Sequence, residues 1–143
     1  MISLPDISKW NISNVNDISF MLIRCKSLLF LSDISKWNTS NIIDIYYLFC
    51  TCLSLSYIPD ISIWNASNVF TKRHMFSRCR SLLYLPDLTK WDISNLNDIS
   101  LMFFDCGSLS YLPDLTKWNK FKRYIYYDIF KNCFNCINKP FEY

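Results

Sequence analysis

Residues 85–111 read LPDLTKWDISNLNDISLMFFDCGSLSY, and closely similar strings fill 4–30, 31–57 and 58–84. Trp10, Trp37, Trp64, Trp91 and Trp118 stand 27 residues apart without a slip, and Cys25, Cys52, Cys79, Cys106 and Cys133 keep the same interval. A fixed period of this length is the mark of stacked supersecondary units, none of which can bury its apolar face until a neighbour covers it. The array is expected to occupy residues 1–118, with a fifth copy starting at Leu112. Residues 119–143 then form a degenerate last coil and C-terminal cap, because Lys120 to Tyr127 loses the Ser and Asn of the motif and turns basic and aromatic.

Within one copy, Ser81 to Leu88 is a short β-prone run closed by a proline that cannot donate to a ladder. Asn-x-Ser-Asn, as in Asn11 to Asn14, is turn chemistry and predicts a corner. Asp17-Ile18-x-x-Met21-x-x-x-Cys25 spaces apolar residues by three and four, which predicts a helical turn or two. The fold class that follows is an α/β solenoid resembling a leucine-rich repeat. It has about five 27-residue coils, a short parallel sheet on one side and short helical turns on the other.

The motif Leu-Pro-Asp-Ile-Ser-Lys-Trp-Asn-x-Ser-Asn-Val followed by Met-Phe-x-x-Cys-x-Ser-Leu resembles the BspA-like leucine-rich-repeat surface proteins, in the variety called the mycoplasma lipoprotein repeat. That resemblance covers residues 1 to about 118. It implies adhesion and recognition of a protein or cell-surface ligand. A surface location is implied by the resemblance alone, since the string from Met1 enters the repeat at once and shows no export signal or lipid-attachment cysteine.

Composition narrows the chemistry. With 51% hydrophobic and 17% aromatic residues, the chain has ample material for a core. A single glycine excludes the glycine-rich phosphate loops. The net charge of +3 is small and the basic residues are scattered, which argues against nucleic acid. The longest uncharged stretch, Ile45 to Pro59, is too short to span a bilayer.

Identical positions in successive coils should stack into columns. The tryptophan and cysteine columns read as structural, each indole buttressing the next and each thiol acting as a small buried hydrophobe. Exposed indoles would instead offer a platform for sugar rings. Asp6, Asp33, Asp60, Asp87 and Asp114 would repel one another by about 1 to 3 kcal/mol per adjacent pair at ~5 Å. Lys9, Lys36, Lys90 and Lys117, or backbone N–H groups, can offset this, and calcium bridging is the sharper alternative.

Phe30, Tyr57, Tyr84 and Tyr111 form an aromatic stripe that is the candidate contact surface. Lys72 replaces Ile18, Ile45 and Ile99 of the other copies and is expected to snorkel outward or distort its turn. His74, the single histidine, has no Ser, Cys or carboxylate arranged with it in the motif. The function expected is therefore a non-enzymatic interaction module with no catalytic residue, cofactor or metal. The alternatives are a carbohydrate- or calcium-binding repeat, or an intracellular scaffold or fragment of a longer repeat protein.

Overall fold

The computed structural model describes residues 4–120, 128–137 and 139. Its copies do stack, yet neither the predicted sheet nor the predicted helices are present among these residues. Regular structure is limited to two 3₁₀ turns, Leu88–Lys90 and Thr116–Lys120. Isolated parallel bridges join Asp17 to Asp44, Asp44 to Thr71, Thr71 to Asp98, and Tyr84 to Tyr111. The α/β, leucine-rich-repeat assignment is overturned, and the molecule is instead a coil built from tight turns.

The stretch expected to be helical shows why. Met21 N–H donates to the Ile18 carbonyl and Cys25 N–H to that of Leu22, closing two successive four-residue turns. Phe20 and Arg24, the third residue of each, have φ of 59°, as a type II turn requires. A helix cannot contain such residues. Apolar spacing of three and four, which reads as helical, is equally the spacing of consecutive turns that each send one side chain inward.

The backbone donors also point elsewhere than in a helix. N–H groups of Ile18, Phe20, Leu22 and Arg24 go to carbonyls of Asp44, Tyr46, Leu48 and Cys50 in the next coil, at 2.8 to 3.2 Å. With the copies at 4–30, 31–57, 58–84 and 85–111 numbered coils 1 to 4, coil 3 repeats this with Lys72, His74, Phe76 and Arg78 donating to Asp98, Ser100, Met102 and Phe104. Those long-range bonds satisfy main-chain donors that would otherwise be buried without partners.

The predicted strand fails for a related reason. Leu82 and Leu88 are fully buried and Leu85 packs against the core, so inward residues recur every three positions rather than every two. Only one residue of the run, Tyr84, pairs in bridge fashion.

The interior is continuous from Ile7 to Cys136. At its centre Phe49, Phe76, Phe103 and Phe130 stack with ring centroids 5.5 to 5.6 Å apart and planes within 4°. Each such contact is worth about 0.5–1.5 kcal/mol beyond its buried area. Lys72 does not snorkel: its side chain is fully buried, with Nζ 5.3 Å from the centre of the Trp91 ring. Of the expected last coil and C-terminal cap at 119–143, residues 121–127, 138 and 140–143 lie outside the described residues, while Ile129 and Lys131 accept N–H groups of Phe103 and Asp105 from the coil before.

Candidate functional site: the exposed aromatic column

Three side-chain columns hold the coils together and leave a fourth free. Trp37, Trp64 and Trp91 donate Nε1–H to the carbonyls of Ile7, Ile34 and Ile61, at 2.9 to 3.1 Å. Each acceptor lies 30 residues earlier and already takes an N–H from its own coil, as Ile7 does from Trp10 and Ile34 from Trp37. Indoles thus fill the second lone pair of a buried turn carbonyl.

Cysteines do the same at the next corner. Cys52, Cys79, Cys106 and Cys133 donate Sγ–H to Leu22, Phe49, Phe76 and Phe103, at 2.8 to 3.1 Å. All the described cysteines are unbridged. Burial pushes the Cys52 thiol up to about 12 and those of Cys79 and Cys106 well above the ordinary value, so these thiols are donors and not nucleophiles. Asn41, Asn68 and Asn95 supply a third column, donating Nδ2–H to Ser13, Ser40 and Ser67.

Trp10 alone among the tryptophans is open, at 52% exposure, while the other four are between 1% and 5% exposed. It stacks on Trp37 at 6.5 Å with planes 3° apart. Four of the five indoles are therefore out of reach of a sugar ring.

The aspartate column is occupied by its own turns. Asp6, Asp33, Asp60, Asp87 and Asp114 each accept, through Oδ1, the N–H two residues on, at 2.9 to 3.1 Å. Hydroxyls of Ser8, Ser35, Ser62, Thr89 and Thr116, and then those N–H groups, hold these carboxyls below the usual range. No grouping of three metal-ligating side chains occurs among the described residues.

The candidate stripe lies outside these networks. Phe30, Tyr57, Tyr84 and Tyr111 are between 45% and 61% exposed. The Phe30 and Tyr57 rings sit 6.3 Å apart, tilted by 53°, and the backbones of Tyr84 and Tyr111 pair directly. Beside Tyr57 and Tyr84 runs a groove of about 260 Å³ lined by Ile58, Asp60, Leu85, Pro86, Asp87 and Lys90. It combines apolar floor with charges of both signs, as a protein contact surface does.

A second surface feature is a column whose backbone conformation the sequence does not signal. Phe20, Tyr47, His74 and Leu101 all adopt positive φ, between 56° and 59°, at the third position of the same turn. The Phe20 and Tyr47 rings stack at 5.2 Å and those of Tyr47 and His74 at 4.4 Å. His74 and Arg78, with Tyr47, Cys50, Leu101 and Phe104, line a cleft of about 380 Å³. Burial, then Arg73, pushes the His74 imidazole below its ordinary value. Cys50 and His74 share this lining, but no hydrogen bond joins them; the Cys50 thiol meets Thr51 Oγ1 at 3.4 Å. The shared turn position is visible in the sequence as a 27-residue column, yet nothing in Phe, Tyr, His or Leu announces a left-handed backbone.

No helix among the described residues is long and apolar enough to cross a membrane. No curated protein matches the chain. No solved structure matches it either. One family model does, that of "Mycoplasma protein of unknown function, DUF285", in two overlapping placements over residues 2–118 and 30–141. The leucine-rich-repeat part of the resemblance is corrected by the absence of sheet and α-helix among the described residues, whereas the mycoplasma repeat motif is what the family model matches. With the stacked turns and the match together spanning nearly the whole sequence, the chain belongs to this family of mycoplasma repeat proteins.

Proposed function

We propose that the chain is a non-enzymatic interaction module whose exposed column of Phe30, Tyr57, Tyr84 and Tyr111 contacts a protein ligand. The observation that supports this reading is a contrast in exposure. Four aromatic rings at one repeat position stand in solvent, while the tryptophan column from Trp37 onward and the column of Phe49, Phe76, Phe103 and Phe130 are buried. Rigid aromatic rings give large contact area at little entropic cost, and a hydroxyl adds orientation. The groove beside Tyr57 and Tyr84 adds Asp60, Asp87 and Lys90 as rim charges.

The resemblance of the repeat motif to surface proteins extends the proposal to a ligand displayed on a cell. Binding of the purified chain to cultured cells, read by labelled protein, tests it. The double variant Tyr57→Ala/Tyr84→Ala should bind at least about tenfold more weakly, the usual consequence of losing two central anchors. The variant Ile43→Ala, an exposed apolar residue outside the column, should bind as the parent does. Equal binding by all three proteins would remove the stripe from the contact.

A further inference from the structure

We propose that coil 3 contains a proton-operated weak point: Lys72 closes the stack as a neutral amine, and taking up a proton drives the turn that carries it out of the core.

The geometry is unusual in three independent ways. Lys72 occupies the inward position held by Ile18, Ile45 and Ile99, all buried. Its side chain is fully buried, and Nζ has no hydrogen-bond partner. The amine rests instead over the Trp91 ring, 5.3 Å from its centre. An ammonium at such a place has lost its hydration shell and received one aromatic face in return, whereas a neutral amine loses far less.

The surrounding ionisable groups do not compensate. From coil 4, Asp92 attracts the ammonium across space. Asp98 gives its carbonyl to the Lys72 N–H, and its carboxylate to Ser100 N–H and, at 3.9 Å, to Arg73. From the same turn come Arg73 and His74. From coil 2 comes Asp44, whose carboxyl is pushed up by burial and by Asp17. None of them forms an ion pair with Nζ.

Burial is the dominant influence and Asp92 opposes it, leaving the Lys72 amine lowered to about 7 from 10.5. The sign of the linkage follows. Between those two values the opened or unfolded chain binds one proton more than the closed chain, so stability rises with pH across that window. Expressed downward, the opening constant contributed by this residue grows about tenfold for each unit fall in pH and levels off below about 7. The turn that would move is short. It is held by Met75 N–H to the Lys72 carbonyl and by the bonds from Lys72 and His74 to coil 4.

Urea unfolding of the whole chain, followed by tryptophan fluorescence at pH 7.5, 8.0 and 8.5, tests the proposal against Lys72→Ile. Isoleucine is the residue of three other coils, so this variant keeps the fold. Thiolates forming in the unfolded state affect both proteins alike, and the ratio of their unfolding constants isolates Lys72. Lys72→Ile should be the more stable, and its advantage should shrink about tenfold per pH unit as pH rises. Lys72→Arg, charged throughout, should be destabilised at every pH with no such slope relative to Lys72→Ile. Parallel pH curves for the parent and Lys72→Ile, or parental stability in Lys72→Arg, would overturn the proposal.

Discussion

The tryptophan column and the Phe30–Tyr111 column have the same period and the same aromatic character, yet one is sealed from Trp37 onward and the other stands in solvent. What separates them is a hydrogen bond. Each of Trp37, Trp64 and Trp91 reaches a turn carbonyl in the preceding coil, whereas the exposed hydroxyls of Tyr57, Tyr84 and Tyr111 make no such bond among the described residues. Recurrence within a repeat protein therefore marks a position, and between these two columns the turn carbonyl that the indole satisfies separates the interior one from the open one.

The largest effect expected from this contrast is in Trp64 against Tyr84. Trp64→Ala should lose about 3–5 kcal/mol in urea unfolding, from the void and the abandoned Ile34 carbonyl together. Trp64→Phe isolates the indole donor and should lose about 1–3 kcal/mol. Tyr84→Ala should stay within about 0.5 kcal/mol of the parent, as surface changes do. A Tyr84 variant as damaging as Trp64→Ala would erase the distinction between the columns.

The cysteine column sharpens the comparison at intermediate size. Cys79→Ala leaves the Phe49 carbonyl without its second donor and should cost about 1–2 kcal/mol. In the native protein Cys25, the one partly exposed member of the column, should react with iodoacetamide before Cys52, Cys79 or Cys106. Mass spectrometry of the modified positions reads this order directly, and uniform labelling would contradict the buried donor role.

The smallest effect concerns the left-handed turn residues. Thr51 has φ of 65°, poorly suited to a β-branched side chain, while the matching position in the last coil is Asn132, with φ of 63°. Thr51→Asn should stabilise by about 0.5 kcal/mol, since asparagine tolerates this region better. A loss instead would mean that the Thr51 hydroxyl, beside Cys50 Sγ, matters more than the backbone.

Much of the stacking was legible in the sequence, because unbroken 27-residue intervals at Trp and Cys leave little freedom in how the copies align. The conformation of each copy was not. Ile18, Met21 and Cys25 have the spacing of a helix, and two type II-like turns in succession produce the same spacing. Left-handed residues would have flagged those turns had they been glycines, but Phe20, Arg24, Tyr47 and Arg78 are held there by bonds from their own N–H groups to the next coil. Tertiary hydrogen bonding overrode local preference.

At the candidate site the sequence located the column but left its exposure open, since Phe and Tyr at such positions serve cores as readily as surfaces. A finer clue was present in the structural columns: Trp and Cys each follow an inward aliphatic or aromatic residue by three positions, the spacing of a turn donor. Lys72 departs from the expected escape to water because the flat face of Trp91 gives it a resting place inside.

The bonds between coils also have a direction. The Trp, Cys and Asn side-chain donors reach backward along the chain, at offsets of 28 and 30 residues, and turn N–H groups such as that of Ile18 reach forward by 26. The junctions bridged by Trp37, Trp64 and Trp91 are consequently cut to one template, with an upper and a lower half that match each other. A tandem duplication of 81 nucleotides within the array would slot in a new rung with its partners waiting, while a gain of one codon more or fewer would spoil the match at the junction where it falls. Growth and shrinkage by whole rungs is the evolutionary path such a molecule leaves open.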